Sequence, residues 1–151
     1  MPGDAWAISL AQASTVVDGA LRHGEERGMA PLTVVVLDPG GYVVAAKRSD
    51  GSAIMRVDVA TAKAWGALAM GWPAHEHVAR AGRMPEFFAA LGTLSGGRML
   101  PVAGGVPIRR PSGPVIGAVG ISGDTSDNDE ACAVAGIEAA GLSAWLDMTE
   151  G

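Results

Sequence analysis

The amino-acid sequence predicts a mixed α/β (α+β) domain with helices flanking a largely antiparallel sheet. Three observations carry this expectation. Apolar residues recur at helical spacing near both ends, residues 32–47 hold two apolar runs joined by a tight turn, and the stretch from Met99 to Ser122 is strand-rich and punctuated by Gly and Pro. In order, the segments run α-β-β-α-α-β-β-β-α, and such a chain buries its apolar faces by layering helices on a sheet.

Asp4 is placed to cap a first helix, in which Trp6, Leu10, Ala13, Val17 and Leu21 recur at spacings of 4, 3, 4 and 4 and share one stripe. That helix should end near 24–28, where Arg22 and His23 complement the negative end of its dipole. Residues 32–37 are β-branched and apolar, Asp38-Pro39-Gly40-Gly41 turns the chain, and 42–47 returns as the second strand of an antiparallel hairpin. A second helix is expected from Ser52 or Ala53 to Gly71, with Val57, Ala60, Ala64 and Leu68 on one face and Lys63 well away from that stripe. Trp72-Pro73 ends it, because the residue before proline disfavours helix.

Residues 74–91 read as one or two short helices interrupted at Gly82 and Pro85, and Gly92 to Gly97 lead into the strand-rich region. Pro111-Ser112-Gly113-Pro114 turns between its last two strands. Ser126 and Asp129 form a capping-box-like start to the last helix, whose Val134, Ile137, Gly141 and Trp145 share a stripe. Gly136 and many alanines allow that helix a close approach to a neighbour. No repeat or linker divides the chain, so residues 1–151 read as one domain.

Hydrophobic residues make up 48% of the chain and charged residues only 18%, leaving little polar material to coat a small globule. Further apolar surface buried between subunits of a homo-oligomer accounts for that balance. A net charge of −5 argues against a nucleic-acid partner, which needs clustered Lys and Arg, and Arg109-Arg110 alone forms no stripe. No 18-residue apolar run spans a membrane, and the N-terminus lacks the basic region and apolar core of a secretory signal, so the expected location is cytoplasmic. The single cysteine, Cys132, excludes an internal disulfide and a Cys-x-x-Cys-His haem attachment.

Several residues carry candidate chemistry. His75 and His77 sit two apart, about 200° around a helix, so they do not grip one metal together. Either can supply a single axial haem ligand, with Met84 or Met99 as softer candidates, and both also read as exposed helical histidines. Asp124, Asp127, Asp129 and Glu130 form an acidic cluster that lacks the EF-hand spacing and reads as helix capping. No Gly-x-Ser-x-Gly elbow, Walker loop or dinucleotide fingerprint is present. The glycines at 104–105 and 117–123 bring side-chain-free backbone to a turned sheet edge, either to make turns or to meet a ligand.

Three runs share an order and spacing: Gly104-Gly105-Val106-Pro107-Ile108, Ile116 to Gly123, and Asp129-Glu130-Ala131-Cys132-Ala133-Val134-Ala135-Gly136. Together with Val34 to Gly41, Lys47 to Ala53 and the Lys63-Ala64 pair after Asp58, they resemble the GlcG/HbpS-like family over roughly residues 5–145. That family includes small haem-binding proteins and the C-terminal domain of PduO-type proteins. The resemblance implies a single GlcG/HbpS-like domain over 1–151, a profilin-like α-β-α sandwich with a five-stranded, largely antiparallel sheet.

It also implies a function: binding of a small ligand, haem or a related tetrapyrrole first, held non-covalently by a homo-oligomer. The expected pocket lies beside Gly104 and Gly105, near a subunit boundary. Met99, Val102 and Val106 form its apolar wall, His75 or His77 is the candidate axial ligand, and Arg48 or Lys63 pairs with a ligand carboxylate. The charges Arg48, Asp50, Lys63 and Arg109 read equally as surface ion pairs. The alternative is a small-molecule pathway enzyme of lyase or isomerase type, acting by acid–base chemistry on a small carbonyl or hydroxy acid. His75, Asp50, Lys63 and Asp129 are then the candidate catalytic groups.

Overall fold

The computed structural model describes residues 6–149. Helix α1 is Leu10–Glu26, followed by the hairpin β1 (Thr33–Leu37) and β2 (Val43–Arg48). Helices α2 (Met55–Ala69), α3 (Ala74–Arg83) and α4 (Pro85–Leu94) come next. Strands β3 (Gly105–Arg109) and β4 (Val115–Ser122), helix α5 (Ser126–Ala139) and the short strand β5 (Ser143–Ala144) complete the described residues. The strands form one sheet in the order β2-β1-β4-β3-β5, with every neighbouring pair antiparallel.

Strand β1 shows how the layers arise. All five residues of Thr-Val-Val-Val-Leu are buried, because successive side chains point to opposite faces and both faces are covered. Val34 and Val36 join a core with Ala13, Val16, Val17 and Ala20 of α1 and with Cys132, Ala133 and Ile137 of α5. Val35 and Leu37 join a smaller core with Ala60, Ala64 and Ala67 of α2. At about 1.5–3 kcal/mol for each fully buried Val or Leu side chain, this strand anchors both layers. The result is the expected α-β-α sandwich, with α1 and α5 on one face and α2 on the other.

Four sequence expectations are corrected. Asp4 lies outside the described residues, and the cap of α1 is Ser9, whose hydroxyl accepts from Gln12 N at 3.1 Å while Gln12 Oε1 accepts from Ser9 N at 3.0 Å. Trp6 and Leu10 are exposed, because the buried stripe begins only at Ala13. The third strand expected between 99 and 122 is absent; residues 99–104 form an irregular loop, and the fifth strand is β5, after α5, pairing Ile108 with Ala144. Finally, α5 is capped by Thr125, which accepts from Asn128 N, and not by Ser126. Gly136 does allow a close approach: a Cβ there would meet the Val16 carbonyl and Ala20 of α1.

Among the described residues no helix is long and apolar enough to cross a membrane.

Candidate functional site

The glycine-rich motifs form a seat for α2. Gly105 of β3 and Gly120 of β4 lie opposite each other in register. A Cβ at Gly105 would run into the backbone carbonyl of Lys63, and one at Gly120 into that of Ala60. Helix α2 therefore rests on bare sheet backbone, closer than any side chain would permit. Gly104 has φ of +112°, and a Cβ there would meet Lys63 Nζ at 2.9 Å. The space beside the paired glycines is thus occupied by the chain's own lysine.

Lys63 is not away from the buried face, as the spacing predicted; it is 5% exposed. Its Nζ donates to the Ile121 carbonyl at 2.9 Å and to Asp129 Oδ2 at 3.1 Å. Asp129, 1% exposed, also accepts from Asp124 N at 3.0 Å through Oδ1. This buried pair ties α2, β4 and the start of α5 together, and each charge is compensated by the other and by backbone.

A cavity of about 460 Å³ lies between α3 and α5, lined by His75, Val78, Ala79, Ala103, Asp127, Glu130, Ala131 and Val134. Ala103 precedes Gly104, so this hollow adjoins the glycine loop on the side that Lys63 does not fill. Its volume falls within the range of small-molecule sites, about 300–1,000 Å³. His75 stands at the rim with its side chain 46% exposed. Its Nε2 is 2.5 Å from Glu130 Oε1 and its Nδ1 3.0 Å from Asp147 Oδ1. Burial alone lowers its pKa, but the hydrogen bonds and negative charges of Glu130 and Asp147 outweigh that and raise it above the ordinary 6.5. Backbone bonds from Ala74 N to Trp145 O and from His75 N to Leu146 O fix the start of α3 against the segment around β5.

His77 points elsewhere, as the two-residue spacing requires. It is 4% exposed, packed against Phe88 edge-on at 5.4 Å and near Trp72 at 6.3 Å, and its Nε2 has no partner. Burial lowers its pKa. Met84 caps α4 and is partly exposed, Met99 is buried against Gly66 of α2, Val102 is partly exposed, and Val106 lies wholly within the α1–α5 core. Arg109 lies over the Trp145 ring at 5.4 Å.

Arg48 and Asp50 line a separate cavity of about 570 Å³ with Leu21, Met29, Leu32 and Lys47. Arg48 ends β2, at the opposite edge of the sheet from β5 and four strand spacings away, about 19 Å. Of the four candidate catalytic groups, His75 and Asp50 therefore lie in different cavities, while Lys63 and Asp129 bond to each other. Glu130 and Asp147 are the residues that sequence reasoning missed as partners of His75. The only signal was the acidic start of α5, which reads as capping because nothing in the sequence brings position 75 against it.

Over residues 8–138 the chain matches the model of a family described as haem degrading protein HbpS-like. Among solved structures it is similar to a PduOC:heme complex, at 24% identity and a TM-score of 0.79, covering 91% of this chain and 97% of that one. A double mutant of HbpS from Streptomyces reticuli is 28% identical, with a TM-score of 0.74 and coverage of 87% and 86%. Protein ORFY of Klebsiella pneumoniae is 25% identical, with a TM-score of 0.78 and coverage of 89% and 90%. No curated protein sequence matches the chain.

Proposed function

This chain belongs to the HbpS-like family, and from that premise we propose that it binds haem or a related tetrapyrrole, non-covalently, as a homo-oligomer. The observation that carries the reading is the cavity between α3 and α5, where a half-exposed imidazole meets walls of Val78, Ala79, Ala103, Ala131 and Val134. The donor set fits an iron porphyrin. A metal-ligating histidine commonly donates its second ring N–H to a carboxylate, and Asp147 stands at Nδ1 of His75 for that role. Nε2 faces Glu130 at the cavity. When bound, the iron supplies Lewis-acid and redox chemistry; the chain supplies an oriented imidazole and apolar walls. The only thiol, Cys132, is buried, so no covalent attachment is open to it.

No Lys or Arg lines that cavity, yet haem carries carboxylates. Arg48, the cation proposed to pair with them, lies at the far edge of the same chain's sheet, so in this reading the pairing crosses a subunit boundary. The exposed Tyr42, Val43, Ile54 and Met55 around β2 and the start of α2 support such a boundary.

Haemin titration followed at the Soret band tests the proposal. It should saturate at a defined stoichiometry, and His75→Ala should abolish the axial-ligand signature while His77→Ala preserves it. Arg48→Ala should weaken binding without moving the band. A titration that never saturates, or spectra unchanged in both histidine variants, would overturn the assignment, and a micromolar monomer by light scattering would remove the shared site.

A further inference from the structure

The geometry points to a second ligand site, suited to an amino-acid zwitterion, between the β1–β2 turn, α2 and the segment after α4. A cavity of about 480 Å³ lies there, with Gly41, Tyr42, Asp58, Trp65 and Arg98 among its walls. That volume suits a small molecule. The site lies against α2, on the sheet face opposite α5, and does not depend on the haem reading. Local contacts hold its walls in place. Asp38 fixes the turn: its Oδ1 accepts from Gly40 N at 2.9 Å and Tyr42 N at 3.1 Å, and its carbonyl accepts from Gly41 N at 2.9 Å. Gly41, at φ of +88°, sets the turn flush against Trp65, where a Cβ would meet indole Cδ1 and Nε1 at 2.9 Å. After α4, Arg98 Nε donates to the Ser95 carbonyl at 2.6 Å, and its Cζ stands 4.5 Å from the Trp65 ring centroid.

A guanidinium carries its N–H donors in a planar fork, and the Ser95 bond uses only the one on Nε. Among the described residues no carboxylate pairs with Arg98 and no cation pairs with Asp58, although both line this cavity. Asp58, in the first turn of α2, complements the helix dipole, which accounts for its own charge and leaves Arg98 unanswered. Held by a carbonyl and an indole, Arg98 is pre-organised, so little side-chain freedom is lost when its terminal nitrogens take up a carboxylate. An anion alone satisfies Arg98 and is repelled by Asp58; a cation alone does the reverse. A molecule with both a carboxylate and an ammonium answers both groups. Ala62 and the rings of Trp65 and Tyr42 offer its aliphatic body apolar contact.

Leucine, isocaproate and isoamylamine share one aliphatic body and carry both charges, the acid alone and the amine alone. The indole N–H resonance of Trp65 in the intact protein, identified by its loss in Trp65→Phe, reports their binding. Leucine at millimolar concentrations should shift that resonance saturably while those of Trp72 and Trp145 stay in place. Isocaproate and isoamylamine should each bind about tenfold more weakly or worse. Arg98→Met should weaken leucine by about tenfold or more and leave isoamylamine unchanged or tighter. Asp58→Asn should weaken leucine and leave isocaproate unchanged or tighter. Both side chains are exposed, so neither change disturbs the core. The absence of a saturable shift with leucine would overturn the site. Equal binding of leucine and isocaproate would overturn the zwitterion assignment, and so would variants that weaken all three probes alike, the mark of a structural role.

Discussion

Replacing Lys63 by Met leaves an apolar stem in place and removes the cation from beside a carboxylate that is 1% exposed. Asp129 Oδ2 then loses its Nζ donor at 3.1 Å, and the Ile121 carbonyl loses its donor at 2.9 Å. Breaking a buried pair from one side costs about 3–5 kcal/mol, because the surviving charge stays desolvated. Against a typical total of about 5–15 kcal/mol, that is a large share of the stability. For a chain of this size, about 2–4 °C per kcal/mol translates it into a Tm lower by roughly 6–20 °C.

The surface pair Lys47–Asp18 provides the comparison. Its side chains are 59% and 48% exposed, and its loss should cost less than about 1 kcal/mol. Urea unfolding followed by tryptophan fluorescence, at one fixed protein concentration because an oligomer's stability depends on it, measures both. The double variant Lys63→Met with Asp129→Leu should recover much of the loss, since no charge is left stranded. The reasoning fails if Lys63→Met costs no more than Lys47→Met, or if the double variant is as unstable as the sum of its parts.

Other expectations follow from the same packing. Gly120→Ala should displace α2 from the sheet and cost several kcal/mol, whereas Gly92→Ala, in open space on α4, should stabilise by about 0.5–1 kcal/mol in the same denaturation assay. His77, whose pKa burial lowers, stays neutral in the fold while the unfolded chain takes up its proton below 6.5, so stability should fall as pH drops through that value. His77→Phe should remove that part of the acid sensitivity in a pH series of urea titrations; an unchanged slope would contradict it. Cys132, fully buried with its thiol pushed up to about 11, should ignore a thiol reagent in the native protein and react once denaturant is added.

The hairpin, the broken α3–α4 pair and the Gly136 approach were legible because each depends on neighbours within a few residues. The glycine motifs were legible as backbone that something must approach, but glycine does not name its visitor. Here the visitor is α2, and the ligand-sized hollow sits one residue away at Ala103. Lys63 was misplaced because helical spacing alone ranks a lysine as polar. Its burial depends on Asp129, 66 residues further along the chain. The partners of His75 are 55 and 72 residues distant, beyond any local pattern. The two-residue β5 is too short to leave a period, and it exists only because β3 offers it an edge.

A crystal structure of the protein grown with haemin tests the central claim most directly. It should place the iron on Nε2 of His75, with the porphyrin between α3 and α5 and Glu130 turned aside. Porphyrin density in the Arg48 cavity with His75 still joined to Glu130, or iron on any other side chain, would contradict it.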